Sequence, residues 1–157
     1  MKGGEVIVPK IIVNTRLQVG NCKEIIERLG VQMLEAGYVK DTYIEAVLQR
    51  EDILPTGLKT GLVNVAIPHT DVTHVNESAI SMTTLNRPVK FYLMEDPSQE
   101  IDVDIVFLLA VKEPEEQVQL LKNLIAIFQN EELLAQMKDI EDENSLNQVI
   151  KASLELV

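Results

Sequence analysis

The run Val103-Asp104-Ile105-Val106-Phe107-Leu108-Leu109-Ala110-Val111 is apolar without interruption from Ile105 onward. A strand with one face in water alternates apolar and polar residues, because successive side chains point to opposite faces. A run that is apolar on both faces has to be covered on both, which is the condition of a central strand in a sheet sandwiched by helices. This run therefore predicts the middle of a sheet and requires helices above and below it.

The remaining pattern supplies them. Asn21 reads as an N-cap with Glu24 as its capping-box partner. From there a helix runs to about Ala36, burying Ile25, Ile26, Leu29, Val31, Met33 and Leu34, with Gly37 to end it. Asp41 begins a shorter helix to about Arg50. Beyond the central strand, Pro114 suits the start of a helix from about Glu115 to Gln129. Helices over about Glu131 to Lys138 and Ser145 to Leu154 finish the chain. Between these groups lie strand candidates: Val63 to Ile67, then Ala79 to Thr84 and Val89 to Met94. A turn at Leu85-Asn86-Arg87-Pro88 is expected to join the last two. The run Glu5 to Val13 reads as a strand or an extended arm. The expectation is a single α/β domain over 1–157, a mixed β-sheet flanked by helices on both sides. Its core spans about 17–154, and 1–16 form an N-terminal strand or arm.

Composition narrows the function. A chain of 157 residues holds one well-buried domain. The formal net charge of −11 argues against nonspecific nucleic-acid binding and fits a basic protein partner. With one cysteine, Cys22, no internal disulfide can form and a Cys-rich zinc site is excluded. No metal-ligand spacing involves His69 or His74, so no metal is expected. No apolar run approaches the roughly 20 residues needed to cross a bilayer. The opening Met1-Lys2-Gly3-Gly4-Glu5 lacks a signal-peptide core, and the expected location is cytoplasmic.

The candidate chemistry centres on His69. The β-branched segment Val63-Asn64-Val65-Ala66-Ile67 stops at Pro68, which cannot donate to a ladder. The next residue places an imidazole where a strand leaves the sheet, the edge at which α/β domains meet their ligands. Such a histidine can be a base, a metal ligand or a nucleophile. Upstream, Arg50 offers a bidentate cation for phosphate oxygens and Thr56, in the loop Pro55-Thr56-Gly57, a hydroxyl. His74 lies in the polar loop beyond, either as a second proton-handling group or as an exposed histidine. Cys22 to Arg28 matches the C-x5-R spacing of cysteine phosphatases. However, Glu24 and Glu27 would repel an anion and the isoleucines have helical spacing, so Cys22 reads as a residue in the first turn of a helix. The acidic runs at Glu113 to Glu116 and Glu141 to Glu143 read as helix starts.

Taken together, Arg50-Glu51, Pro55-Thr56-Gly57, Ala66-Ile67-Pro68-His69 and the downstream Glu116-Gln117-Val118-Gln119-Leu120-Leu121 carry a family resemblance. The chain resembles the EIIA component of the bacterial phosphoenolpyruvate-dependent sugar phosphotransferase system (PTS), fructose/mannitol superfamily, from about Leu17 to Leu154. The resemblance implies that His69 is the phosphorylated nucleophile and Arg50 its phosphoryl-stabilising neighbour. Thr56, His74 and Gln117 would be supporting residues. The implied partners are the phosphocarrier protein HPr as donor and a cysteine of EIIB as acceptor, serving sugar uptake through membrane EIIC. Gln117 stands where many mannitol- and fructose-type members carry a second histidine, and an amide cannot titrate. That glutamine, Pro55-Thr56-Gly57 and His74 look closer to the galactitol-type branch. The alternative is a regulatory nitrogen-type EIIA-like protein controlling a partner by its phosphorylation state. A hydrolase using His69 as base is a third reading, distinguished by steady phosphate release without an acceptor.

Overall fold

The computed structural model describes residues 9–155, and the continuous apolar run forms the middle strand of a five-stranded sheet. In chain order the elements are β1 (Lys10–Leu17), α1 (Cys22–Glu35), α2 (Tyr43–Ile53), β2 (Gly57–Leu58), β3 (Val65–Ala66), a 3-10 turn (Val72–His74), β4 (Ala79–Tyr92), β5 (Glu100–Ala110), α3 (Pro114–Phe128), α4 (Glu131–Asp139) and α5 (Glu143–Glu155). The strand order is β1-β4-β5-β3-β2. β1 runs parallel to β4, β4 antiparallel to β5, β5 parallel to β3, and β3 antiparallel to β2. The sheet is therefore mixed. The N-terminal run is a strand from Lys10, and its expected start at Glu5 lies outside the described residues.

β5 is buried on both faces, from Val103 through Val111. On one side Ile105, Phe107 and Leu109 pack with Leu124 and Phe128 of α3, Leu134 and Met137 of α4, and Leu146 and Ile150 of α5. Phe107 and Phe128 meet with ring centroids 5.2 Å apart in a tilted arrangement. On the other side Val106, Leu108 and Ala110 pack with Ile25, Ile26, Leu29 and Met33 of α1 and with Tyr43 and Val47 of α2. Each face buries apolar area at roughly 25 cal/mol per Å², so the two helical layers form a core on either side of the sheet.

The helix ends follow their sequence signals. Asn21 caps α1 by accepting from the Glu24 N–H at 2.9 Å. Glu24 reaches the Gly20 N–H at 3.0 Å rather than Asn21, a capping box displaced by one residue. Gly37, at φ +83°, leaves α1 in the left-handed region that a side chain would oppose.

The expected turn at Leu85 to Pro88 is absent. β4 runs through it to Tyr92 as one strand. Thr84 pairs with Ile105 and Val89 with Val103, so the chain bulges outward and resumes pairing with the same neighbour. Asn86, Arg87 and Pro88 are exposed in the bulge. Proline needs a site without a ladder N–H, and a bulge supplies one as well as a turn does. The loop expected before β3 contains β2, a strand two residues long that adds Gly57 opposite Ala66.

Gly57 is also where backbone approaches backbone. A Cβ there would lie 2.6 Å from the Tyr92 carbonyl oxygen, and the Gly57 carbonyl accepts from the Met94 N–H at 2.9 Å. Gly57→Ala is expected to destabilise the fold by about 1–3 kcal/mol through overpacking. The check is a lowered urea midpoint with an unchanged slope; an unaltered midpoint would contradict the close approach.

Candidate functional site

The parallel strands β3 and β5 end at the same edge of the sheet, and the chain leaving β3 turns there through Ile67, Pro68, His69 and Thr70. Each step is pinned. The Ile67 N–H donates to the Thr56 carbonyl at 3.3 Å, and the Pro68 carbonyl accepts from the Leu109 N–H of β5 at 3.0 Å. The Thr70 carbonyl accepts from Gln117 Nε2, on the first turns of α3, at 3.3 Å. His69 is thus held from three elements, and it is 7% exposed.

The ring makes one hydrogen bond that decides its chemistry. His69 Nδ1 lies 2.7 Å from the Ile67 carbonyl oxygen. A carbonyl only accepts, so Nδ1 carries the proton and the neutral ring keeps its lone pair on Nε2. Burial pushes the imidazole pKa down, the Ile67 hydrogen bond opposes this, and the Arg50 charge adds to the lowering. The neutral, nucleophilic form is therefore favoured.

Arg50 comes from the last turn of α2. Its charge bears on both His69 and Asp71, lowering the pKa of each, so the guanidinium is near enough to act on both. Its Nε is buried with no hydrogen-bond partner among the described residues. Unmatched buried donors are rare and call for an acceptor; an oxyanion would provide it.

The other expected residues have distinct roles. Thr56 Oγ1 donates to Glu51 Oε1 at 2.8 Å, and the Thr56 N–H donates to Glu51 Oε2 at 2.9 Å. His74 Nδ1 meets Thr42 Oγ1 at 2.8 Å, and its Nε2 lies 3.9 Å from Asp71. Gln117 reaches the site through the Thr70 backbone. Cys22 stands at the first position of α1, where burial and then the charges of Glu51 and Asp52 push its thiol up to about 12, leaving no thiolate for catalysis. Among the described residues no three His, Cys, Asp or Glu side chains converge to hold a metal ion, and no helix is long and apolar enough to cross a membrane.

Glu51 entered the sequence reading only as the neighbour of Arg50 in the Arg50-Glu51 pair, with no role of its own. It is 8% exposed. The signal available was Thr56, a double donor five residues on.

Comparison with known proteins shows the family and the fold. The family model for the phosphoenolpyruvate-dependent sugar phosphotransferase system, EIIA 2, matches residues 7–153. The chain is 32% identical over 111 residues to the galactitol-specific EIIA component of the PTS of Escherichia coli strain K12, covering 71% of this chain and 73% of that protein. It is 29% identical over 136 residues to the mannitol-specific phosphotransferase enzyme IIA component of Staphylococcus aureus strain Mu50, covering 86% and 88%. The fold superposes with a TM-score of 0.75 on a solved complex of mannitol enzyme IIA and phosphorylated mannitol enzyme IIB from Escherichia coli, at 20% identity, over 89% of this chain and 94% of that one.

Burial raises the Glu51 pKa from 4.5 to about 7, against the Thr56 hydrogen bonds that lower it. The folded state then binds this proton more tightly than the unfolded chain. The associated stability is fully present below about 4.5 and is lost as pH rises through about 7, roughly 3 kcal/mol in all. Relative to wild type, Glu51→Gln is expected to gain stability steadily between pH 5 and pH 8 in urea unfolding. A constant difference across that window would contradict a raised pKa.

Proposed function

The chain belongs to the EIIA 2 family of the phosphoenolpyruvate-dependent sugar phosphotransferase system, and from that premise we propose that it is a phosphoryl carrier working through His69 Nε2. The observation that carries this reading is the 2.7 Å contact between Nδ1 and the Ile67 carbonyl, which commits Nδ1 to its proton and leaves Nε2 as the nucleophile. The donor is phospho-HPr. The Nε2 lone pair forms the N–P bond as the donor's own P–N bond breaks, and the departing nitrogen keeps that electron pair. Arg50 holds equatorial oxygens of the phosphoryl group, with its unmatched Nε among the donors. The ring becomes cationic as the bond forms, and the Ile67 carbonyl, already accepting from Nδ1, stabilises that charge.

The next transfer reverses the roles. A cysteine thiolate of EIIB attacks phosphorus, the S–P bond forms, and His69 leaves as the neutral ring with Nδ1 still protonated. Because Nδ1 stays protonated, the neutral imidazole is a good leaving group and the phosphohistidine a good phosphoryl donor toward a partner. The tight surroundings of His69 limit attack by water. No metal or organic cofactor enters these steps. Exposed apolar side chains lie on the segments that bring in the site residues: Ile53 and Leu54 between Arg50 and Thr56, and Val118 beside Gln117. They supply the rim on which HPr and EIIB would dock, in the cytoplasm. Gln117 and the Pro55-Thr56-Gly57 loop, together with the identity to the galactitol component, support galactitol or a related sugar.

Three expectations follow from this scheme. Incubation with phosphoenolpyruvate, enzyme I and HPr should add one acid-labile phosphoryl group by intact mass, absent from His69→Ala; equal adducts on both proteins would remove His69 from the reaction. Arg50→Ala should slow acceptance by about 10²–10³-fold, the loss typical of a positioned oxyanion donor; wild-type kinetics would exclude Arg50. In an NMR titration, His69 should protonate below the usual histidine value of about 6.5, because burial disfavours the cation. A midpoint at or above that value would contradict the buried, neutral ring.

A further inference from the structure

β3 brings His69 to the sheet edge, yet it is two residues long and its outer neighbour β2 is equally short. A ribbon of that length has little stability of its own. Its last rung is the Ile67 N–H to Thr56 carbonyl bond at 3.3 Å. The residue that provides that carbonyl is 2% exposed, and both of its other polar groups end on one buried carboxylate, Glu51. Glu51 in turn is built into the last turn of α2, the turn that carries Arg50.

We propose that Glu51 is a positioning residue for His69, acting through Thr56 and Ile67 to set the imidazole tautomer. The connection is continuous. Glu51 fixes the N–H and hydroxyl of Thr56, at 2.9 and 2.8 Å. The Thr56 carbonyl then fixes the Ile67 N–H, and the Ile67 carbonyl fixes His69 Nδ1 at 2.7 Å. The Ile67 carbonyl lies in the planar Ile67–Pro68 peptide group, and the peptide on each side of it is held. The preceding one is held by the Ile67 N–H bond to Thr56, the following one by the Pro68 carbonyl's bond from the Leu109 N–H at 3.0 Å, so releasing the Thr56 end frees the carbonyl that faces the ring. The effect travels through hydrogen bonds and not through charge: the side-chain charge that bears on His69 is that of Arg50. The same carboxylate ties the loop bearing Thr56 to the helix bearing Arg50, so the nucleophile and its cation share one anchor. Burying a carboxylate is unfavourable unless every lone pair facing the protein is matched, and here both oxygens are matched by a single residue next to the site. Protonation leaves the clamp intact, because the Thr56 hydroxyl can turn from donor to acceptor. An amide in place of the carboxylate can therefore make the same two bonds.

This inference rests on the phosphoryl-carrier reading for its consequence, but its primary test needs no phosphoryl donor. The ¹⁵N spectrum of the unphosphorylated protein, labelled in histidine, reports which ring nitrogen of His69 carries the proton. Wild type and Glu51→Gln are expected to show a protonated Nδ1, and Glu51→Ala to shift toward the Nε2-protonated form that free imidazole side chains prefer. Acceptance of phosphate from phospho-HPr should fall on the order of 10–100-fold in Glu51→Ala, as for other small misplacements of a reacting atom, and be restored in Glu51→Gln. Where Glu51→Ala does not fold, Thr56→Val keeps the volume and the backbone bond while deleting the hydroxyl, and a partial shift in the same direction is expected. A protonated Nδ1 retained in every folded variant would overturn the proposal whatever the transfer rates. A shifted tautomer in a protein whose wild type accepts no phosphate would support the clamp and overturn the carrier reading instead.

Discussion

The structure depends on one constraint: β5 has no face that can be left in water. From Val103 to Val111 every side chain is buried, so α1 and α2 must cover one side and α3, α4 and α5 the other. Covering both faces also fixes the two edges of the sheet. The edge at which β3 and β5 end is where the chain must turn, and the turn residues hang from β5 itself. The Leu109 N–H holds the Pro68 carbonyl, while the Leu109 carbonyl accepts from the buried Tyr43 hydroxyl of α2 at 2.5 Å. The helix that carries Arg50 and the strand end that carries His69 are therefore referenced to the same central residue.

On that frame the chemistry needs few groups. One backbone carbonyl selects the tautomer and burial disfavours the charged ring; in the proposed reaction one guanidinium would supply the positive charge that a phosphoryl group requires. Position comes from rigid elements, and reactivity comes from removing alternatives: Nδ1 is committed, and the cation is disfavoured. A carrier needs this combination more than it needs acid–base groups, since no proton has to enter or leave the ring during transfer. A glutamine at position 117 is compatible with that scheme. Its amide cannot titrate, and it is occupied in holding the Thr70 carbonyl beside His69.

Much of this was legible in the sequence, for physical reasons that can be named. The two-sided burial of β5 and the Asn21 cap are local patterns, and each appears where it was expected; the strand expected over Val63 to Ile67 is shorter, pairing only at Val65 and Ala66. The misread turn at Leu85 to Pro88 shows the limit. Asparagine and proline signal a break in the ladder, but only the pairing of Val89 with Val103 shows whether the chain reverses or bulges. The two-residue β2 was invisible because so short a strand has no periodicity. The partner of Nδ1 was also illegible, since every residue has a carbonyl and sequence does not say where it points. Glu51 was hidden by its neighbour: in Arg50-Glu51 only the arginine suggested a role, whereas the carboxylate folds inward to meet Thr56.

The central claim is that the phosphoryl group sits on one nitrogen, Nε2 of His69. The most direct measurement is heteronuclear NMR on the ¹⁵N-histidine protein phosphorylated through HPr, reading which ring nitrogen of His69 couples to phosphorus. Coupling to Nε2, with Nδ1 still bearing its proton, is the expected result. Coupling to Nδ1, or a phosphoryl group on His74, would contradict the account, because the Ile67 carbonyl could not then be what determines the reactive atom.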